Sequence, residues 1–259
     1  MQKLFNITNE TDHIVKIELV NGKKHNPLSL ELIQELTNSL IQISSQKKVK
    51  VLIISSEGPG FSAGHDLDEL RKNRNNKKFF NELFNECSNL MQTIMNLPQP
   101  VIAEVCGIAA AAGCQLVASC DLAVASEQAS FMTPGVNIGL FCSTPMVAIS
   151  RKISSKDMMS MLLLGEKISA LEAEKIKLIN KVFLKKYLKK EVINIATKIT
   201  KKSNQSIKIG KIAFYKQLEM NIEEAYEYSS KVMTKNMGFN DAKEGIEAFI
   251  EKRSPNWKN

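Results

Sequence analysis

Apolar and polar side chains alternate through His13-Ile14-Val15-Lys16-Ile17-Glu18-Leu19, the period of a strand with one buried face. Asn21-Gly22 then supplies a turn. From Ser29 the period lengthens: Leu32, Ile33, Leu36, Leu40 and Ile43 recur every three or four residues and predict an amphipathic helix capped by Ser29. Val49–Ser55 is apolar on both faces at its centre, as a strand in a covered sheet must be. After the turn Gly58-Pro59-Gly60, the spacing of Phe80, Leu83, Phe84, Cys87, Leu90, Met91 and Ile94 predicts a helix from Lys77 to Asn96, ending before Pro98 and Pro100. Val101–Val105 and Leu122–Ala125 read as further strands, with a small-residue run and another helix between them. Strand and helix alternate throughout this half of the chain, which argues for βαβ units and an α/β fold.

Beyond Ser150 the pattern changes to helices. Short ones carry Met158, Met159, Met161, Leu162 and Leu163, then Ala170–Ile176; a lysine-rich helix follows around 185–202. Phe214–Gln217, Ile222–Lys235 and Asp241–Lys252 also read as helical, the last with Ala242, Ile246, Phe249 and Ile250 as its apolar positions. The chain divides into an α/β core over 1–195 and a C-terminal helical region over 196–259. The methionines read as core or subunit contact.

Composition narrows the class. With 259 residues, 44% hydrophobic and 24% charged, the chain has enough apolar side chains for a sizeable core. The net charge of +8 invites a nucleic-acid reading, but the excess is lysine spread along helices such as Lys185-Lys186-Tyr187-Leu188-Lys189-Lys190, without an interleaved aromatic stripe. A solvated helix face explains it better, and part of it is available to a polyphosphate ligand. Neither nucleic acid nor a membrane is expected as partner, since no apolar run reaches spanning length. Cys87, Cys106, Cys114, Cys120 and Cys142 show no paired or metal-ligand spacing, so reduced thiols are expected, and neither a metal nor a redox cofactor is suggested. The first residues have no apolar or arginine-rich targeting pattern, which makes the cytosol the expected compartment.

Candidate chemistry lies in two loops. Ala63-Gly64 and Ala112-Gly113 each follow a strand among residues small enough for a ligand to approach the main chain. Two main-chain N–H groups converging on one oxygen form an oxyanion hole, whose value lies in being fixed before charge develops. Small residues that merely let a helix pack on a strand are the alternative for either loop alone.

Phe61-Ser62-Ala63-Gly64-His65-Asp66-Leu67, Pro100–Gly107, Ala112-Gly113-Cys114-Gln115-Leu116 and Cys120–Ala125 resemble, in order and spacing, the enoyl-CoA hydratase/isomerase or crotonase superfamily. Phe131-Met132-Thr133-Pro134, Gly165–Ala170 and Glu244–Arg253 continue the match almost to the C-terminus. The resemblance implies a crotonase-like ββα spiral core with a C-terminal helical trimerisation segment, assembled as a homotrimer or as a hexamer of two trimers. It implies an acyl-CoA thioester as ligand, with coenzyme A present only as part of the substrate. On this sequence it assigns the thioester oxygen to the amides of Ala63 and Ala112, and the bent CoA chain to Gly64, His65, Asp66 and Gly113. Lys23, Lys24, Phe249 and Lys252 become candidate CoA contacts. Ala112 departs from the glycine usual in the family.

A larger departure concerns acid and base. Hydration of an enoyl-CoA needs one group to activate water and another to protonate the α-carbon, and hydratases of the superfamily use two glutamates. Their positions here hold Gln115 and Gly135, and Asn137 falls where the dienoyl-CoA isomerases carry an aspartate. None of the three titrates usefully. His65 has a suitable intrinsic pKa but lies where the backbone contacts the ligand; Asp66 suits a helix cap and Asp121 a structural role; Cys114 and Cys142 read as inert rather than nucleophilic. Three readings stay open: an acyl-CoA enzyme working by enolate stabilisation, a conventional hydratase or isomerase, and a non-catalytic acyl-CoA-binding or assembly protein.

Overall fold

In a computed structural model describing residues 3–258, short strands and helices succeed one another as the periodicity predicts. The strands are β1 (Phe5–Thr11), β2 (Ile14–Leu19), β3 (Val51–Ser56), β4 (Gly60–Ser62), β5 (Val101–Val105), β6 (Ile108–Ala110), β7 (Leu122–Ser126), β8 (Ser130–Met132), β9 (Ile168–Ser169) and β10 (Lys181–Phe183). The helices are α1 (Leu30–Ser44), α2 (Leu67–Lys72), α3 (Lys77–Asn96), α4 (Ala112–Ser119), α5 (Ser143–Ile149), α6 (Ser155–Leu164), α7 (Ala170–Lys175), α8 (Lys185–Thr200), α9 (Asn204–Gln217), α10 (Ile222–Met237) and α11 (Asn240–Ile250). Ser29 caps α1 as expected, its hydroxyl accepting from the Leu32 N–H at 3.2 Å.

Among the described residues the strands form two sheets, ordered β1-β2-β3-β5-β7-β10 and β4-β6-β8-β9. From β2 onward the first sheet is parallel, and so are β4, β6 and β8 in the second. Each turn of the spiral therefore runs from a long strand of the first sheet to a three-residue strand of the second, and then into helical structure. The period-2 pattern explains the packing. Val15, Ile17, Leu52, Ile54, Val101, Ala103 and Ala123 face the main core with α1, α3 and α4, whereas Ile14, Val51, Ile53, Ile102 and Val124 pack under Leu188, Val192 and Ala196 of α8. α8 runs continuously through residues 195 and 196 and buries Ala196 against the first sheet.

The three-residue strands escape the sequence patterns, being too short to show a period; Phe61 and Phe131, both fully buried, are their core residues. Asp121 has the structural role expected of it. It accepts from the Val101 N–H at 2.7 Å, the Lys211 ammonium at 2.7 Å and the Tyr215 hydroxyl at 3.0 Å, tying α9 to the first sheet. Lys211 also donates to the carbonyls of Ile94 (3.0 Å) and Gln99 (2.9 Å), which satisfies a charge held almost out of water.

Candidate active site

β4, β6 and β8 lie side by side and parallel, with Ser62 opposite Ala109 and Ala110 opposite Met132. Their C-terminal ends therefore bring three segments to one edge of the second sheet: Ala63–Asp66, Ala111–Gln115 and Thr133–Ile138. Glycine makes this closeness possible. A β-carbon on Gly113 would lie 2.3 Å from the Ser62 carbonyl oxygen, and one on Gly64, which has φ +89°, would lie 3.0 Å from the Ala110 oxygen and 3.2 Å from the Ala112 nitrogen.

The structure changes one of the two expected amides. The Ala63 N–H donates to the His25 carbonyl at 2.8 Å and is not available to a ligand. One residue on, the Gly64 carbonyl accepts from the Leu28 N–H at 2.8 Å; across that trans peptide the His65 N–H points away from Leu28 and meets no acceptor among the described residues. The Ala112 N–H is likewise without an acceptor there, as befits the first residue of α4, where helix geometry supplies none. His65 and Ala112 are therefore both open donors, and of the first-turn amides of α4 it is the Ala112 nitrogen that lies against Gly64. In the sequence, the pointer to this register is Gly64, whose left-handed φ turns the following peptide away from the strand.

Alanine at 112 does not narrow the site, because its methyl is fully buried in the main core. The strain falls on its neighbour. Ala111 has φ +48° and ψ −118°, a conformation that glycine adopts freely and alanine does not.

Gln115, 4% exposed on the first turn of α4, has its Oε1 buried without a partner; the same is true of the Thr133 hydroxyl at the end of β8. Gly135 is buried in a 3-10 turn over Pro134–Ile138. Asn137 is exposed and donates to the Gly165 carbonyl at 3.3 Å, so its amide braces the end of α6 instead of entering the edge. The His65 ring meets the Leu28 carbonyl through Nδ1 at 3.4 Å and the edge of Phe84 at 5.4 Å, and its Nε2 has no partner. Burial holds its pKa below the ordinary histidine value, against a smaller opposing effect of that carbonyl, so the ring is neutral at pH 7. Asp66 caps α2, accepting from the N–H groups of Asp68 (2.9 Å) and Glu69 (3.3 Å). Burial pushes the thiol of Cys114 up to about 12 and that of Cys142 upward too, which leaves both protonated and unreactive.

Lys23 and Lys24 belong to the turn that leads into His25 and so lie beside the Ala63–Asp66 loop; Lys24 reaches within 3.9 Å of Asp68. Asn26, which the sequence patterns did not single out, fastens that turn to the segment between β3 and β4: fully buried, it donates to the carbonyls of Glu57 at 2.9 Å and Gly60 at 2.8 Å. Phe249 and Lys252 are not brought to this edge within the chain. Phe249 is 85% exposed at the end of α11, Lys252 follows it in a left-handed conformation, and α11 packs against α9 and α10. The edge thus offers two fixed N–H donors and a buried amide, with no carboxylate at 115 or 135: it can stabilise a negative oxygen but supplies no titrating group at those positions.

Comparison with known proteins identifies the family. The enoyl-CoA hydratase/isomerase family model matches residues 9–259. The mouse and human enoyl-CoA hydratase domain-containing protein 3, mitochondrial, are 47% and 48% identical over 96% of this chain, covering 83% and 82% of their own lengths. A crystal structure of the human protein superposes with a TM-score of 0.94 at 46% identity, covering 98% of this chain and all of that one. A Mycobacterium smegmatis enoyl-CoA hydratase superposes with a TM-score of 0.96 at 39% identity over the whole of both chains. The mouse, rat and human relatives are named as mitochondrial, which overturns the cytosolic expectation; the early residues were a poor guide to compartment. A family model spanning almost the whole chain, relatives near half identity and the same spiral of strands make this chain a member of the enoyl-CoA hydratase/isomerase family.

Proposed function

We propose that this chain binds an acyl-CoA thioester with its carbonyl oxygen between the N–H groups of His65 and Ala112, and acts on it by stabilising the thioester enolate. The observation that carries the reading is the pair of open donors on either side of Gly64, in a chain whose family is that of enoyl-CoA hydratases and isomerases. An oxygen that gains charge as the α-carbon loses a substituent or proton is stabilised most by donors already in position. Gly64, His65, Asp66 and Gly113 then line the thioester and the CoA chain, and Lys23 and Lys24 stand where phosphate groups leave the loop. Gln115 orients the acyl group by hydrogen bonding.

Hydration is not the proposed reaction, since Gln115 and Gly135 hold the positions of both hydratase glutamates. That same absence favours a second reading, acyl-CoA binding without turnover. Self-association as a trimer or a pair of trimers belongs to the proposal as well. Phe214, Ile222, Tyr226, Met233, Met237, Phe249 and Ile250 place a large apolar surface on α9–α11, each more than half exposed, and a second copy would cover it.

Titration calorimetry with acetyl-, butyryl- and crotonyl-CoA, beside a crotonyl-CoA hydration assay, separates the readings. Binding without hydration supports the proposal, and α-proton exchange of bound butyryl-CoA with deuterated water distinguishes enolate chemistry from mere binding. Hydration at ordinary enzymatic rates overturns the role given to Gln115 and Gly135.

A further inference from the structure

The net charge of this chain is concentrated in one segment. Residues 181–202 contain eight lysines and one glutamate, a net of seven positive charges, while the whole chain carries +8. The charges of the rest of the molecule sum to about +1, although residues 71–78 carry a shorter run of five cations on α2, the segment after it and the start of α3. All eight lysines, at 181, 185, 186, 189, 190, 198, 201 and 202, are exposed. They lie on β10, on α8 and just beyond it, on the outer side of the first sheet, since Leu188, Val192 and Ala196 turn the opposite side of α8 inward. Helical geometry sets Lys186, Lys190 and Lys201 on the outward face.

Helix stability does not account for this distribution. The N-terminal end of a helix carries positive partial charge, which favours acidic residues in the first turn. α8 begins with Lys185 and Lys186, has no acidic residue in its first turn and no side-chain cap of its own; the Glu127 carboxylate, from another segment, accepts from the Lys185 N–H at 2.6 Å. Of the lysines, Lys189 has a counter-charge within reach, Glu10 at 3.5 Å. A solvating surface mixes the two signs, whereas a single-sign stripe produces a field directed at a partner.

We propose that the outer face of α8 is a docking surface for an anionic lipid bilayer. Charge complementarity identifies the sign of the partner, and the accompanying residues identify its kind. The cations are lysines, which act as compact point charges, where specific phosphate or nucleic-acid recognition favours the planar fork of arginine. Leu184 and Tyr187 lie among them, 52% and 47% exposed, and an apolar and an amphipathic side chain beside lysines suit the interfacial region of a bilayer. The helix face is convex and lacks the stack of aromatic residues that would receive bases. No helix among the described residues is long and apolar enough to cross a membrane, so the association is peripheral.

Co-sedimentation of the full chain with vesicles tests this. The chain sediments with phosphatidylcholine vesicles containing about one third phosphatidylglycerol, does not sediment with phosphatidylcholine alone, and is released by high salt. Reversing three lysines, K186E with K190E and K201E, lowers the apparent partition coefficient by about a hundredfold or more, at roughly fivefold for each charge removed. K186E alone places a carboxylate in the first turn, so it weakens vesicle binding without lowering thermal stability, which separates lost binding from lost folding. Absence of binding to the anionic vesicles, or binding unchanged in the triple variant, overturns the proposal; so does a polyuridylate RNA that binds the wild type while the anionic vesicles do not.

Discussion

The Cys142 thiol crowds the place where a side chain on Gly135 would begin: a β-carbon added at Gly135 would lie 3.0 Å from Cys142 Sγ and 3.0 Å from the Leu140 carbonyl oxygen. If Gly135 holds the hydratase glutamate position, as proposed, that position has lost room for a side chain as well as the carboxylate. Gly135→Glu alone is expected to destabilise the fold by about 1–3 kcal/mol through overcrowding, and Cys142→Ala is expected to recover part of that loss. The triple change Gln115→Glu, Gly135→Glu, Cys142→Ala should then acquire weak crotonyl-CoA hydration, while Gln115→Glu with Gly135→Glu alone gains less. Urea unfolding and the hydration assay check both halves; a double variant as stable and active as the triple would deny Cys142 its steric role.

Ala111 holds a conformation suited to glycine immediately before the open Ala112 N–H. Relief of that strain by Ala111→Gly is expected to stabilise the fold by about 1 kcal/mol, after the entropy lost by the more flexible unfolded chain is deducted. Ala111→Val should act in the opposite direction and more strongly, since a branched side chain tolerates positive φ less well. Urea midpoints measure both, and a destabilised Ala111→Gly would show that the methyl contact outweighs the strain.

The assignment of the donors to His65 and Ala112, with Ala63 excluded, has a direct chemical test. Replacing residue 65 by the corresponding α-hydroxy acid exchanges its N–H for an ester oxygen and leaves the side chain in place. Turnover of an enolate-forming acyl-CoA is expected to fall by about a hundredfold or more, as when one oxyanion donor is removed. The same exchange at residue 63 removes the donor to His25 and is expected to lower stability by about 1 kcal/mol, with a smaller effect on turnover. Reversed effects would restore Ala63 as the donor.

The buried His65 ring makes stability depend on pH with a definite sign. Burial holds its folded pKa below the ordinary 6.5, with the Leu28 carbonyl opposing weakly. As pH falls through 6.5 the unfolded chain takes up a proton that the folded chain still refuses, so the contribution of this residue is present above that value and is lost below it, down to the folded pKa. His65→Phe, which keeps a ring against Phe84 and removes the titration, should show a shallower loss of stability on acidification than the wild type. Unfolding free energies measured above and below pH 6.5 decide this; parallel slopes for the two proteins would exclude His65 as the source.

Periodicity was enough to locate the strands β2, β3, β5 and β7 and the helices α1, α3 and α8, because a buried face imposes its spacing on a run of residues long enough to count. That Gln115 and Gly135 carry no titrating group was also legible directly, since no arrangement of backbone supplies one. Other features depend on residues distant in the chain. β4, β6 and β8 exist only as neighbours of one another, each too short to carry a pattern, and their alignment is what brings Gly64 against Ala112. Which amide stays open at the first loop depends on where the His25 carbonyl falls: it takes the Ala63 N–H and leaves that of His65. Asn137, a site candidate by position, is instead drawn to Gly165 by a hydrogen bond spanning 28 residues. Side-chain chemistry is local and can be read from the chain, whereas donor availability depends on what competes for each donor, and the competitors are assembled by folding.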